Sequence, residues 1–71
     1  TTIDFFISNP SYVEIKVYDA VGNLMDIMTS DYYTIGSHKL TWNGSSFPSG
    51  IYVLQMKLGS AVHKRKMVLI K

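Results

Sequence analysis

The sequence predicts an all-β fold, a small antiparallel β-sandwich of six to seven strands. Three observations support this prediction. Apolar and polar residues alternate with a period of two, helical periodicity is poor along the whole chain, and β-branched and aromatic residues are plentiful. Turn residues recur roughly every 8–12 positions, a spacing typical of sandwiches and small barrels. Short turns between successive strands indicate antiparallel pairing.

The first strand is predicted at residues 3–7, where every second position is apolar. Pro10 ends this strand, because proline has no N–H to donate to a neighbouring strand. The second strand covers residues 13–18 and has one apolar and one polar face, the pattern of a half-buried strand. Residues 19–23 form a hairpin connection in which Gly22 can take a positive φ.

A return strand is predicted at residues 24–28, followed by a less regular stretch with a turn at Gly36. Residues 38–42 again alternate, and a loop rich in turn residues follows them up to Gly50. The strand at residues 51–58 and the last strand, at residues 61–70, are joined by a tight turn. Gly22 and Gly50 are both expected at turns where a Cβ atom would clash.

The chain is one domain, residues 1–71, that must be stabilised by its apolar core or by a partner. Its residues are 46% hydrophobic and 17% charged, which argues against disorder. Disulfides and thiolate metal sites are excluded because the sequence contains no cysteine. The predicted core consists of Val13, Ile15, Val17, Leu40, Trp42, Tyr52, Leu54 and Met56.

Neither a signal peptide nor a transmembrane segment is predicted. The first residues lack a basic start and an apolar run, and no apolar stretch approaches the roughly 20 residues that span a bilayer. Because the chain begins directly with a strand, we expect it to be a fragment of a longer protein.

The basic residues are concentrated at the end of the chain. Lys64, Arg65, Lys66 and Lys71, here called the basic strip, lie within the last eight positions. Lysine on an edge strand discourages pairing between sheets, so edge protection is one interpretation. A strip that a receptor recognises is the other. The net charge of +2 is too small to indicate nucleic-acid binding, and no broad basic face with interleaved aromatic residues is present.

No catalytic residue, cofactor, metal site or small-molecule substrate is predicted. His38 and His63 lack a second ligand at metal-binding spacing, so a partly buried structural role for His38 and a solvated position for His63 are expected. Asp19 precedes a turn, where aspartate commonly accepts hydrogen bonds from the backbone two residues on. Calcium would need six to eight oxygen ligands, and no loop supplies them.

A polysaccharide platform is the one binding site that the aromatic residues suggest. Trp42 and Tyr52 share faces with apolar residues, so we expect them in the core. Tyr12, Tyr32 and Tyr33 are the more exposed candidates, but we expect them in separate turns and therefore predict no common platform.

The order of short motifs resembles a known family. The segments are Ile15-Lys16-Val17-Tyr18-Asp19, Gly22-Asn23, residues 36–44, Pro48-Ser49-Gly50-Ile51-Tyr52 and Lys66-Met67-Val68-Leu69-Ile70-Lys71. Taken together, they resemble the type A C-terminal sorting domain of the type IX (Por) secretion system, and the related immunoglobulin-like domain of flagellar hook-capping proteins. The resemblance covers almost the whole chain, and its motif positions include Gly22, Gly36, Trp42, Gly50 and Tyr52.

The resemblance implies an immunoglobulin-like sandwich that acts as a non-catalytic secretion signal. Its partners would be the type IX translocon, a sortase-like outer-membrane protein and a cargo domain upstream. The cargo would pass through the periplasm to the cell surface or the medium, with cleavage of the domain, and the end of the chain at Lys71 fits a C-terminal signal. The alternative is an accessory sandwich, a spacer or polysaccharide-binding module of a secreted enzyme.

Overall fold

The computed structural model describes residues 2–70, in which it contains strands and turns but no helix. The six strands of this part of the chain are β1 (Thr2–Ile7), β2 (Ser11–Asp19), β3 (Leu24–Tyr33), β4 (Gly36–Thr41), β5 (Gly50–Leu58) and β6 (Ala61–Leu69). All strand pairs are antiparallel. The predicted all-β fold is therefore confirmed.

The strands form two sheets that enclose the core. One sheet has four strands in the order β3-β2-β5-β6, and the other consists of β1 and β4. Ile3 of β1 lies opposite Leu40 of β4, so this small sheet joins segments that are far apart in sequence. The arrangement is consistent with the predicted small sandwich, and β3 and β6 form the edges of the larger sheet.

Strand β3 is longer than the sequence predicted. It continues to Tyr33, whereas the prediction ended it at Met28 and placed Tyr32 and Tyr33 in turns. Its pairing with β2 shifts register between Ile15 and Lys16 and again nearer the hairpin. These irregularities disturb the period-two pattern along β3, which explains why alternation alone did not reveal the whole strand.

The core lies between the inner faces of the two sheets. Seven of the eight residues predicted for it are buried, and Leu40 is the exception, because it is only partly buried and packs against the others. The predicted core left out the side chains of β1. Every second residue of this strand is buried, at the apolar positions of the alternating pattern seen in the sequence. The buried apolar residues are Ile3, Phe5, Ile7, Val13, Ile15, Val17, Trp42, Tyr52, Leu54 and Met56.

Trp42 and Tyr52 anchor one end of this core, and each satisfies its polar atom. Trp42 Nε1 donates a hydrogen bond to Asp26 Oδ2 at 3.0 Å, and the Tyr52 hydroxyl donates to the carbonyl oxygen of Pro48 at 2.6 Å. The Trp42 ring stacks on Phe47 and meets Tyr52 edge to face. Buried aromatic residues with polar atoms usually have such partners.

Glycine has different roles at the two predicted turn positions. Gly22 has φ of 96° in the β2–β3 hairpin, a conformation that other residues rarely adopt, as predicted. Gly50 has no positive φ, and a Cβ atom added there would meet nothing within 4 Å. The expectation of a clash at Gly50 is therefore wrong, because this residue already begins the extended strand β5.

Gly44 makes the closest approach to a neighbouring side chain among the glycines of the described residues. It is buried in the loop between β4 and β5. A Cβ atom at this position would lie 2.9 Å from Leu69 Cδ1, 3.0 Å from Leu69 Cδ2 and 3.4 Å from Trp42 Cζ3. The missing side chain thus lets the loop press against the end of β6.

Candidate recognition surface

The described part of the basic strip lies on β6, an edge strand whose only strand neighbour within residues 2–70 is β5. All residues from position 61 to 66 are exposed, whereas Met67 and Leu69 are partly buried and pack against the core. The apolar end therefore attaches β6 to the sandwich and leaves its charged middle open to solvent. Lys71 of the predicted strip lies outside the described residues.

The three described cations do not point to one side of the sheet. Arg65 lies opposite Leu54, whose side chain is buried in the core, so Arg65 is on the inner face of the strand. Lys64 and Lys66 alternate with it and are on the outer face. Successive side chains of an extended strand point to opposite faces, so three consecutive cations place positive charge on both faces of the edge.

No acidic side chain of the described residues neutralises these cations. The two ion pairs in residues 2–70 join Lys16 to Glu14 at 3.2 Å and Lys39 to Asp4 at 4.0 Å. Lys64, Arg65 and Lys66 take part in neither. Their charges are therefore available to an anionic partner at the cost of little internal rearrangement.

A groove separates β6 from β1, the strand across the opening of the sandwich. Asp4 and Arg65 line two neighbouring stretches of this groove, which we call the β1–β6 groove. Phe6, with 64% of its surface exposed, and His63 line one of these stretches. Within residues 2–70, β1 is paired only to β4, so its other edge is free like that of β6.

Asp19 organises the β2–β3 hairpin. Its carboxylate accepts hydrogen bonds from the backbone N–H of Asn23 at 2.8 Å and of Val21 at 3.1 Å, and from the Asn23 side chain at 3.0 Å. These bonds, foremost that of the Asn23 backbone, lower the pKa of Asp19 below its ordinary value. The predicted turn role of Asp19 is confirmed.

The histidines occupy the predicted kinds of environment. His38 is partly buried, stacks on Phe5, meets Tyr33 edge to face, and its Nε2 lies 2.8 Å from the carbonyl oxygen of Thr34. His63 is exposed on β6. Within residues 2–70, no three histidine or acidic side chains lie close enough together to hold a metal ion. The same residues contain no helix long and apolar enough to cross a membrane.

Two of the exposed tyrosines are neighbours, contrary to the expectation that they lie in separate turns. Tyr12 of β2 lies opposite Tyr32 of β3, and their rings meet edge to face with centroids 5.2 Å apart. The Tyr12 hydroxyl also forms a hydrogen bond with Ser30. Tyr33 turns to the other face and packs against the core. Cross-strand pairing, which local alternation does not reveal, brings the two rings together.

Comparison with known families decides what this sandwich is. The model of the secretion system C-terminal sorting domain matches residues 1–71. The chain belongs to this family of type IX sorting domains. No curated protein and no solved structure matches the chain.

As a type IX sorting domain, the chain carries a signal for export to the cell surface or secretion, and it implies interaction with the type IX machinery and an attached cargo. The residues on which the sequence resemblance rests mostly lie at turns or in the core. Gly22 takes a positive φ in the β2–β3 hairpin and Gly36 takes one where β4 begins, whereas Trp42 and Tyr52 are in the core. The sequence did not predict that Asp26 accepts the hydrogen bond of Trp42 or that Gly44 packs against Leu69. For Gly44, the one signal was its place in a loop rich in turn residues.

Proposed function

We propose that this sorting domain is a non-catalytic address whose basic strip is read by protein components of the type IX export machinery. The match of the whole chain to the sorting domain family carries this proposal. The three exposed cations of β6, which no acid in residues 2–70 pairs with, support the choice of recognition element. Lys71 extends the strip in sequence.

The remaining steps of the proposal concern the path of the cargo. The attached protein lies upstream in a longer chain, reaches the periplasm, and crosses the outer membrane through the translocon that recognises the folded domain. A sortase-like protein then removes the domain, and the cargo is attached to the cell surface or released. The domain consists of residues 1–71. It needs no cofactor, because it acts as a binding partner of the export machinery and catalyses no reaction.

The test is export of a reporter fused ahead of the domain in a type IX-competent host. Replacing Lys64, Arg65 and Lys66 with glutamine leaves the partly buried Met67 and Leu69 in place, and surface changes of this kind usually alter stability by about 0.5 kcal/mol or less. We expect the variant to fold and its reporter to accumulate in the periplasm. Fractionation and surface proteolysis measure this.

A control variant removes the same number of positive charges elsewhere, together with the two surface ion pairs of Lys16 and Lys39, which contribute little to stability. Lys16, Lys39 and Lys57 lie on β2, β4 and β5, outside the basic strip, and the triple glutamine variant at these positions should be exported normally. Normal surface delivery of the β6 variant would show that its cations only protect the strand edge. Failure of the unmodified domain to export the reporter in several such hosts would contradict the sorting role itself.

A further inference from the structure

The two edges of the four-stranded sheet differ in their readiness to accept another strand. On β3, the pairing with β2 is interrupted by two register shifts. The carboxylates of Asp26 and Asp31 accept hydrogen bonds from the backbone N–H groups of Ile27 at 2.8 Å and Tyr32 at 2.7 Å. Bulges and occupied donors hinder the addition of a strand at an edge. The β3 edge is therefore protected.

The β6 edge has none of these protections in its described residues. Its nine residues pair with β5 in an unbroken register, from Ala61 opposite Leu58 to Leu69 opposite Gly50. No aspartate or glutamate of residues 2–70 accepts a hydrogen bond from its backbone. A regular, extended edge of this length presents a row of free N–H and C=O groups, which is the template for adding a strand.

We propose that β6 binds an extended acidic segment of a protein partner, which adds to the four-stranded sheet as a further strand. Side chains of the added strand would alternate between the two faces of the sheet. Acidic residues at alternate positions would lie beside Lys64 and Lys66 on the outer face, and the one between them beside Arg65. The partner segment thus contains a short run of acidic residues flanked by residues that favour strands.

The β1–β6 groove provides room for the inner-face side chains of such a segment. Apolar side chains next to the acidic run would contact Phe6, which is 64% exposed, and the partly buried Met67. Cross-strand pairs of opposite charge stabilise a sheet, and like charges directly opposite destabilise it. Charge therefore selects an acidic segment for this edge.

A second copy of this chain fits the edge poorly. Antiparallel pairing of two β6 strands about Arg65 would place Lys64 of one copy opposite Lys66 of the other. The three consecutive cations thus permit a partner of opposite charge while they oppose self-association. Edge protection and recognition are then two effects of the same residues.

The test uses a purified domain labelled with ¹⁵N and an end-capped peptide, Thr-Val-Thr-Glu-Glu-Glu-Val-Thr-Val, which matches the length of β6. We expect saturable chemical-shift changes in β6 and slower hydrogen exchange of its edge amides. The peptide with glutamine in place of glutamate should bind roughly tenfold more weakly or not at all, as should the unmodified peptide to the Lys64→Gln, Arg65→Gln, Lys66→Gln domain.

Two further variants separate strand addition from simple charge attraction. A peptide N-methylated at alternate residues keeps its charge but cannot pair with an edge, so we expect it not to bind. Along β6, successive backbone N–H groups point in turn toward β5 and toward the free edge. Of the two variants Val62→Pro and His63→Pro, one therefore removes an N–H group of the free edge and leaves the pairing with β5 intact. The variant that remains folded should lose binding although all three cations are intact.

Equal binding of the N-methylated peptide, or of a folded proline variant, would overturn strand addition. Absence of any binding, or dimerisation of the domain through β6, would overturn the acidic segment as occupant. The proposal rests on the recognition role given to the basic strip, but its outcome is separable from export. Peptide binding with normal export of the triple glutamine variant would leave the docking site standing and refute only its role in sorting.

Discussion

Trp42 illustrates how single residues stabilise this small domain. Its ring is 4% exposed and contacts Phe47 and Tyr52, with ring centroids 5.4 and 5.5 Å away. Its one polar atom donates to Asp26, so burial leaves no donor unpaired. Sequence alternation placed Trp42 in the core, but the partner of its N–H lies on β3 and could not be predicted from local pattern.

Replacing Trp42 with alanine should lower the free energy of unfolding by about 3–5 kcal/mol, because it opens a cavity in the core. A domain of this size has little more stability than that. Urea denaturation followed by circular dichroism measures the loss. Trp42→Phe, which keeps an apolar ring and removes only the donor to Asp26, should cost less. An unchanged denaturation midpoint in Trp42→Ala would place Trp42 outside the core.

Asp19 should make hairpin stability depend on pH. Its folded pKa is lowered by hydrogen bonds, foremost from the Asn23 backbone N–H, so ionised Asp19 stabilises the fold at every pH above its ordinary pKa in the unfolded chain. This contribution is lost as the pH falls through the lower folded pKa. The stability difference between the domain and Asp19→Ala should therefore be constant near neutral pH and shrink in acid. A difference that grows in acid would contradict this account.

At the scale of elements, the β4–β5 loop and the end of β6 depend on one another. Gly44 leaves room for Leu69, and Leu69 in turn covers the Trp42 side of the core. Among the described strands β6 pairs with β5 alone, so the packing of Leu69 adds to the attachment of its far end. The hydrophobic pattern predicted strands β5 and β6. It could not predict that the β4–β5 loop contacts the end of β6, because that contact depends on the tertiary fold.

Gly44→Ala should destabilise the domain by about 1–2 kcal/mol, since its Cβ would force the Leu69 side chain aside. Hydrogen exchange should quicken at Met67 and Val68 more than at the β2–β3 pair. Shortening Leu69 to valine in the same chain should recover part of the loss. Additive effects of the two substitutions would show that they do not interact. Gly50→Ala, where a Cβ atom meets nothing within 4 Å, is the matched control.

At the scale of the whole molecule, the two sheets leave their aromatic residues mostly inside. The exposed pair on the outer face, Tyr12 and Tyr32, meets at an interplanar angle of 76°, so the two rings do not form one flat platform. Sugar rings would find a single exposed ring rather than a continuous surface. This pair therefore offers no flat two-ring platform of the kind that a glycan-binding module uses.

We predict that common plant and bacterial polysaccharides do not bind this domain with useful affinity. Calorimetric titration should show no heat of binding, and amide spectra should not shift at Tyr12 or Tyr32. A dissociation constant in the micromolar range that is lost in Tyr32→Ala, with Tyr18→Ala as a control on the same sheet, would instead favour the accessory role.

Sequence alone determined the strand content, the inward residues of β2 and β5, the Asp19 hairpin and the resemblance to sorting domains, because alternation and turn chemistry are local properties. The tertiary structure decided which strands share a sheet. It paired β1 with β4, extended β3 to Tyr33, and made β6 a free edge. It also divided a continuous run of cations between two faces and placed Arg65 at the groove. These features follow from long-range pairing, whose register depends on the burial of both sheets at once rather than on any one segment.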